Sequence, residues 1–205
     1  MPEKLFYELS KEKRIKVTSA VLDEFSQYSY YESSTNRIVK KAGIAKGSLF
    51  KYFSNKKDLY FFIIDSCIED MVESLQSRLT GLPEDLFDRV LKYSELEFSW
   101  YIQQPVKYRL IKRAFKPDNT EIFRITEERY SSAGEDIYYR IFEDIGEKQL
   151  RWGKKKSVNI LKWFLISFNE EFIREAETVE DIQKLKEQYL KQLAEYLKIL
   201  KEGII

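Results

Sequence analysis

Histidine is absent from this sequence of 205 residues, and cysteine occurs once, as Cys67. Without an imidazole, the Ser-His-Asp and Cys-His arrangements of hydrolases cannot form, and neither can the usual zinc sites. A single cysteine excludes an internal disulfide bond and fits a reducing compartment. We therefore expect no catalytic residues, no metal site and no cofactor in this chain.

Glycine loops for phosphate binding and long apolar runs are missing as well. The seven glycines form neither a Walker-type loop nor a G-x-G-x-x-G loop, which leaves only carboxylate, lysine or tyrosine chemistry for an enzyme. No stretch approaches the roughly 18 consecutive apolar residues of a membrane span, and the first residues lack a signal-peptide pattern. The sequence therefore predicts a cytoplasmic protein that is not an enzyme.

The net charge is small but unevenly distributed along the chain. Lys and Arg number 35 against 34 Asp and Glu, yet residues 1–58 contain twelve of the former and seven of the latter. Between Ser33 and Lys57 there is no acidic residue. Such a stretch favours a basic face directed at a polyanion, although a lysine-rich solvated surface would give the same composition.

Apolar residues recur at helical spacing throughout the chain, and no segment alternates as a half-buried strand would. The loop predicted in the C-terminal half is GEKQLRWGKKK. Nine helices are predicted, with approximate spans of about 10–27, 34–41, 46–53, 54–80, 83–104, 105–116, 119–144, 155–176 and 179–202.

Two glycines, Gly43 and Gly47, lie in the segment AGIAKGSLFKYF, residues 42–53. Gly43 follows the second predicted helix, where a helix C-cap requires a positive φ. Gly47 starts the next helix, where the lack of a side chain would let the backbone approach a phosphate. Two short helices joined by such a turn, in an acid-free stretch, are typical of a helix-turn-helix, whose second helix enters the DNA major groove.

The segment resembles the N-terminal DNA-binding domain of the TetR family of transcriptional repressors. The resemblance runs from Phe25 and Tyr30 through AGIAKGSLFKYF to NKKDL and covers residues 14–59. It implies an all-α protein with a three-helix helix-turn-helix domain in residues 1–56. A helical ligand-binding and dimerisation bundle is expected in residues 57–205.

Three positions depart from the family pattern. Ser29 replaces the usual glycine, Phe50 replaces a tyrosine that can reach a phosphate through its hydroxyl, and Tyr52 stands where histidine is frequent. These departures leave the expected fold unchanged and bear on individual phosphate contacts.

The resemblance implies roles for individual residues in DNA binding. Thr35 and Asn36 would lie against the DNA backbone or a base edge, and Lys56 would contact a phosphate. The recognition helix would contribute Lys46, Gly47, Ser48, Lys51 and Tyr52. Core packing is the preferred interpretation of the apolar residues of the same segment, which are Ile38, Ala42, Ile44, Leu49 and Phe53.

In the family, the last two long helices usually pair with their symmetry mates in a homodimer. The spacing of Ile182, Leu185, Tyr189, Leu193, Tyr196 and Leu200 suits such an interface, although a single-chain core would give the same stripe. The resemblance also implies a ligand cavity among the middle helices, whose aromatic residues suit an apolar or aromatic effector. The candidate ligand-binding residues are Trp100, Tyr101, Tyr108, Phe123, Tyr130, Trp163 and Phe164, for each of which core packing is the alternative.

The sequence thus predicts a ligand-responsive DNA-binding regulator, a homodimeric repressor released from a palindromic operator by a small hydrophobic or aromatic effector, with no membrane partner. Two alternatives remain open. One is a helical-bundle interaction protein that uses the helix-turn-helix as a scaffold and is not controlled by a ligand. The other is a carboxylate-dependent helical enzyme using a pair such as Glu170 and Glu171, although the Glu-x-x-His ligands of di-iron bundles cannot form without histidine.

Overall fold

The computed structural model describes residues 2–76, 78–79, 81–130, 145, 150–176 and 182–204. All regular secondary structure in these residues is helical, which confirms the predicted all-α class. In chain order the helices are α1 (Lys4–Tyr7), α2 (Lys11–Gln27), α3 (Thr35–Ala42), α4 (Lys46–Tyr52), α5 (Lys56–Gln76), α6 (Leu86–Gln103), α7 (Pro105–Ala114), α8 (121–130), α9 (Lys154–Ala176) and α10 (Ile182–Ile204).

The chain packs as two compact units. The first contains the described residues of Met1–Glu73 and Gln104–Tyr130, and the second those of Ser74–Gln103 and Ser131–Ile205. The DNA-binding segment expected in residues 1–56 therefore lies in the first unit, together with most of α5 and all of α7. The boundary between the DNA-binding and ligand-binding domains, expected after residue 56, stays a prediction.

Most helices that the sequence predicts for the first 60 residues are found within one or two residues of their expected ends. The exception is α1, which the sequence did not predict. Further along, α5 ends at Gln76, before the expected end near Thr80. The predicted helix over 119–144 is helical over residues 121–130, and its remainder lies outside the described residues.

Helix α9 begins at Lys154, within the segment predicted as a loop. Gly153, with φ +80°, adopts the left-handed conformation that glycine tolerates best, and it directly precedes the helix. Its carbonyl oxygen accepts hydrogen bonds from the backbone N–H of Ser157 at 3.2 Å and from Ser157 Oγ at 3.1 Å. Lys154, Lys155 and Lys156 therefore lie in the first turn of α9.

In the first unit, α2 packs against both α3 and α7, and α1 packs against α4. Ile38, Leu49 and Phe53, predicted as core residues, are buried. Ala42 is also buried, and Ile44 is half-buried against the same cluster. Because α3 and α4 are both attached to this core, their relative orientation is fixed by packing rather than by the turn alone.

In the second unit, α10 packs against α6 and α9. The rings of Phe98 and Tyr189 stack with their centroids 4.4 Å apart. The buried stripe of α10 is Leu185, Tyr189, Leu193 and Leu197. It advances in steps of four residues, so Tyr196, which the sequence placed on this stripe, is exposed instead. None of the described helices is long and apolar enough to span a membrane.

Candidate nucleic-acid interface

The turn between α3 and α4 has the geometry that the sequence predicts. Gly43 has φ +67° and lies in the left-handed region. The N–H of Ile44 donates to the carbonyl oxygen of Val39 at 3.1 Å, and the N–H of Gly43 donates to that of Lys40 at 3.4 Å. This pair of bonds is a Schellman motif, which ends α3 and satisfies two of its last carbonyl groups. A side chain at position 43 would be strained.

The beginning of α3 is held by a carboxylate from α2. Glu24, which is only 7% exposed, accepts a 2.7 Å hydrogen bond from the backbone N–H of Ser34. The side chain of Ser34, the residue at the N-cap position, makes no capping bond, so Glu24 performs the capping role. A negative charge at this position also interacts favourably with the helix dipole.

Arg37 completes this arrangement from within α3. Its Nε donates to both oxygens of Glu24, at 2.9 and 3.1 Å. Its Nη2 also donates to the carbonyl oxygen of Glu32 at 2.9 Å, and its guanidinium lies 4.1 Å from the ring centroid of Tyr28. The hydrogen bond to Glu24 raises the pKa of Arg37. Arg37 therefore positions α3, although it lies in the basic stretch.

Helix α4 has one buried and one exposed face. Leu49 points into the core, whereas Lys46, Gly47, Phe50 and Lys51 are exposed. Ser48 and Tyr52, and Thr35 in α3, are half-buried, and Asn36 in α3 is exposed. Among the described residues, Lys46 and Lys51 pair with no acid, unlike Lys41, whose Nζ lies 2.7 Å from a carboxylate oxygen of Asp23. The exposed face of α4 thus presents two unpaired cations beside a residue without a side chain.

Gly47 is not required by the packing of this chain. A Cβ atom built at this position meets nothing within 4 Å, and the backbone does not have a positive φ. Glycine inside a helix costs roughly 0.5–1 kcal/mol relative to alanine. The fold alone therefore gives no reason for glycine at the exposed start of α4.

The N-terminal segment packs against the C-terminal end of α4. The backbone N–H of Glu3 donates to the carbonyl oxygen of Tyr52 at 2.8 Å, and Ser54 Oγ donates to the Glu3 carboxylate at 3.0 Å. Phe6 is buried, with its ring centroid 5.0 Å from that of Phe53 and 6.2 Å from that of Tyr52. Sequence reasoning missed this support, although an aromatic residue just before the first amphipathic helix could have indicated it.

Lys56 is engaged within the chain. Its Nζ donates to the carbonyl oxygen of Ser33 at 2.6 Å and lies 4.9 Å from the ring centroid of Tyr30. Burial lowers the pKa of Lys56. Because an ammonium group has three donors, a phosphate contact is compatible with this bond, and that contact stays a prediction.

Residues 17–61 match the sequence model of a family described as bacterial regulatory proteins, tetR family. This segment is a TetR-family domain. The resemblance that the sequence predicts is confirmed, since the match includes α3, the Gly43 turn and α4.

Two curated relatives match about a third of the chain. The chain is 26% identical over 74 residues to the HTH-type transcriptional regulator HbdR of Aromatoleum sp. (strain CIB), which is 36% of this chain and 32% of that protein. It is 27% identical over 73 residues to the fatty acid metabolism regulator protein of Bacillus subtilis (strain 168), which is 34% of this chain and 38% of that protein. The chain spans about a third of the length of these curated relatives.

Solved structures show that the fold continues beyond the TetR-family domain. A TetR family transcriptional regulator from Chloroflexus aurantiacus J-10-FL superposes with a TM-score of 0.72 at 24% identity, covering 100% of this chain and 98% of that chain. The regulator FadR from Bacillus subtilis, solved in complex with stearoyl-CoA, has a TM-score of 0.67 at 15% identity, covering 88% and 97%. Both helical units therefore have the fold of TetR-family regulators.

The departure of the TetR-family domain at Ser29 has a structural explanation. Ser29 Oγ donates to Glu32 Oε2 at 2.7 Å, and the same carboxylate oxygen accepts from the backbone N–H of Ser29 at 3.2 Å. In return the backbone N–H of Glu32 donates to Ser29 Oγ at 3.4 Å. This reciprocal pairing resembles a capping box, so a serine stabilises the α2–α3 loop where the family usually has glycine.

The predicted ligand-binding residues are divided between the two units. Tyr108, Phe123 and Tyr130 belong to the first unit, and Trp100, Tyr101, Trp163 and Phe164 belong to the second. Trp100 is buried, Tyr101 and Phe164 are half-buried, and Trp163 is 65% exposed. Their contact with a ligand stays a prediction.

Tyr130 has a structural role in the first unit. Its hydroxyl donates to the Asp65 carboxylate in α5, and Arg129 Nη2 donates to the other oxygen of that carboxylate at 2.7 Å. Burial raises the pKa of Tyr130, so the hydroxyl keeps the proton that it donates. Tyr130 and Arg129 therefore attach α8 to α5.

Proposed function

We propose that this protein is a DNA-binding transcriptional regulator, a homodimeric repressor released from a palindromic operator by a small hydrophobic or aromatic effector. The observation that carries the proposal is the exposed face of α4, where Lys46 and Lys51 pair with no acid among the described residues and Gly47 has no side chain. The predicted cytoplasmic location belongs to the same proposal.

The proposed contacts follow from the chemistry of this face. Lysines that neutralise phosphates release counterions and supply sequence-independent affinity. The side chain of Asn36 can bind adenine in a bidentate manner, and exposed Phe50 can make apolar contact with a thymine methyl group. Gly47 leaves room for the backbone of α4 to approach a phosphate.

Selection of binding sites from random-sequence duplexes tests the DNA-binding role. We expect a palindromic site whose half-sites lie about one DNA turn apart. Lys46→Ala or Asn36→Ala should relax base preference at a cost of about 1 to 3 kcal/mol, whereas Lys56→Ala should weaken all sequences alike. The matched control is Lys198→Ala, on an exposed position of α10. Failure to enrich any sequence would contradict the proposal and favour the interaction-protein alternative.

The proposed homodimer uses an outward face of α9 and α10. On α9, Ile160, Trp163 and Ile166 are exposed, and on α10, Tyr196 and Ile199 are exposed. The ring of Tyr196 lies 5.9 Å from those of Phe164 and Phe168, so the two exposed stripes adjoin. An apolar stripe of this kind on two neighbouring helices suits a self-complementary interface, which the two-fold symmetry of a palindrome requires.

The effector role rests on the second unit. A protein named as a fatty acid metabolism regulator matches 34% of this chain in sequence, and a regulator solved with stearoyl-CoA shares the fold. For this chain we propose an effector in the second unit, near Trp100 and Tyr101 on α6. An effector can release the operator only if it binds the DNA-free arrangement more tightly than the DNA-bound one. Reciprocal titration tests this coupling, since ligand and operator must change each other's affinity by the same factor.

A further inference from the structure

A second acid-free basic segment lies outside the helix-turn-helix. Between Glu97 and Asp118 the sequence contains five lysines and arginines and no acid. Four of these basic residues are in α7 and the fifth directly follows it. Helix α7 belongs to the first unit, together with α3 and α4. The function proposed above uses none of these five residues.

The exposed side of α7 carries positive charge. Arg109 and Arg113 are exposed and lie one turn apart. Exposed Lys116 follows in a turn whose N–H donates to the carbonyl oxygen of Arg113 at 3.4 Å. At about 100° per residue, the three positions lie within about 60° of one another around the helix axis. Leu110 and Ala114 are instead buried in the core of the first unit, so the three cations form a basic stripe on the solvent side of α7.

Interactions within the chain account for only part of the positive charge of α7. Cations in the last turn of a helix interact favourably with its dipole, which explains Lys112 and Arg113. Lys107 forms an ion pair, with its Nζ 2.9 Å from a carboxylate oxygen of Asp70. Neither explanation applies to Arg109, which lies in the middle of α7 and is exposed.

The basic stripe adjoins the loop that leads into α3. Hydrogen bonds from Ser29 lower the pKa of Glu32, and the charge of Arg113 lowers it further, so Arg113 lies near this loop. The carbonyl oxygen of Glu32 accepts a hydrogen bond from Arg37 in α3. Asn36, for which a base contact is proposed, follows Glu32 by four residues and lies within about 14 Å of it. Because phosphates of one DNA strand are about 3.4 Å apart along the axis, this distance corresponds to about four base pairs.

We propose that the basic stripe, Arg109, Arg113 and Lys116, binds DNA phosphates that flank the half-site contacted by α4. Charge complementarity determines the choice of partner, since a row of exposed cations in the unit that contains α3 and α4 matches the same polyanion. Contacts to phosphates add affinity without base preference. The inference rests on the proposed DNA-binding function and extends its interface beyond residues 17–61, which match the family model.

Two duplexes of different length test the inference on the full chain. The short duplex contains only the palindromic site selected from random-sequence DNA, and the long duplex extends this site by about 10 base pairs on one side, so that one basic stripe gains flanking phosphates. Three added contacts should steepen the salt slope of the association constant by about 2.7 on the long duplex. The preference of the parent protein for the long duplex, measured by fluorescence anisotropy, should therefore fall about 40-fold between about 50 and about 200 mM salt. Flanks of unrelated sequence should give the same result.

Variants separate the charge of the basic stripe from packing. Replacing all three residues of the stripe by glutamine should leave binding to the short duplex unchanged and give equal salt slopes on the two duplexes. Arg109→Lys combined with Arg113→Lys keeps the charge and should retain the steeper slope on the long duplex. A matched control removes three exposed lysines of the second unit and should behave as the parent does; its substitutions are Lys155→Gln, Lys191→Gln and Lys198→Gln.

The outcomes distinguish this inference from the proposed function. A parent protein that binds both duplexes with equal salt slopes overturns the basic stripe and leaves the DNA-binding role standing. A steeper slope on the long duplex that persists in the glutamine variant also overturns the assignment. Failure of the parent protein to select or bind any duplex contradicts both proposals. A steeper slope that is lost only in the glutamine variant supports both.

Discussion

Glu24 in the first unit and Glu97 in the second are both glutamates on interior faces of helices, and they differ in their partners. The carboxylate of Glu24 accepts from the N–H of Ser34 and from Arg37, so its burial stabilises the start of α3. The carboxylate of Glu97 has no such bonds with the described residues, and its pKa is raised to about 7. A buried acid with partners stabilises the start of α3, whereas an acid that is desolvated without such bonds makes the stability of its unit depend on pH.

Helix α10, in the second unit, carries apolar residues on both a buried and an exposed face. Leu193 is 0% exposed and Leu197 is buried, so these residues belong to the core of a single chain. Ile199, on the same helix, is 64% exposed, and Trp163 is exposed on neighbouring α9. Substitutions on these two faces of the helix pair should therefore have different consequences.

The largest effect is expected for Leu193→Glu. Burying an unpaired carboxylate in the core of the second unit should reduce its free energy of unfolding by at least about 3 kcal/mol, measured by denaturant unfolding. The matched variants Trp163→Glu and Ile199→Glu should leave the fold intact and convert the dimer to a monomer, as sized by light scattering. A stable dimer in both surface variants would show that the dimer interface lies elsewhere on the protein.

The next largest loss of stability is expected for Glu24→Gln. This substitution removes the negative charge that accepts hydrogen bonds from Arg37 and from the N-terminus of α3. The loss of a charge-assisted capping bond should lower the free energy of unfolding of the first unit by about 2 kcal/mol. Glu12→Gln is the control, because Glu12 is exposed and its ion pair, with Lys16 one turn away, lies at the surface. Similar unfolding curves for the two variants would show that Glu24 does not organise α3.

Removing the charge of Glu97 is expected to increase the free energy of unfolding, whereas removing the charge of Glu24 should lower it. The pKa of its carboxyl rises from 4.5 to about 7 on folding, so the folded state holds the proton more tightly than the unfolded chain does. The associated stability is therefore present below about pH 4.5 and is lost as the pH rises through about 7. Glu97→Gln should raise the free energy of unfolding by about 1 to 2 kcal/mol at about pH 8 and change little at about pH 5. An equal effect at both pH values would contradict the desolvated environment of this carboxyl.

The smallest change in stability is expected for Gly47→Ala. A Cβ atom at this position meets nothing in the chain, so alanine should stabilise α4 by about 0.5 to 1 kcal/mol. The same methyl group should obstruct the approach of α4 to a phosphate and weaken operator binding. Gly203→Ala, at an exposed glycine of α10 where a Cβ atom also meets nothing, controls for the general effect of alanine in a helix and should leave operator binding unchanged. Unchanged or improved operator binding in Gly47→Ala would show that the start of α4 does not approach the DNA backbone.

Local features of the first unit were predictable from the sequence because they depend on neighbouring residues. The helical spacing of Val17, Val21 and Phe25 indicates α2, and Gly43 marks the end of α3. The ion pair of Glu24 with Arg37 joins residues 13 positions apart and depends on how α2 and α3 pack, which no local pattern encodes. Short α1 was missed for the same reason, because its burial depends on the distant Phe53 and Phe62.

In the second unit the sequence predicted the helices better than the orientation of their faces. Both Tyr196 and Leu197 fit a helical stripe, and only packing against α6 and α9 determines that Leu197 is buried and Tyr196 is exposed. The candidate ligand residues were chosen for aromatic character, which core and cavity positions share. The desolvation of Glu97 carried no sequence signal, since an acid within an amphipathic helix usually lies in solvent.

The central claim, that the exposed face of α4 binds DNA, is tested most directly by the salt dependence of duplex binding. The logarithm of the association constant should fall linearly with the logarithm of the salt concentration. Replacing Lys46 and Lys51 together by alanine should make this slope shallower by about two, since each phosphate contact contributes about 0.9. The paired control, Lys191→Ala with Lys198→Ala on exposed positions of α10, should keep the parent slope. A slope unchanged by the α4 variant, or no salt-dependent binding by the parent protein, would contradict the claim.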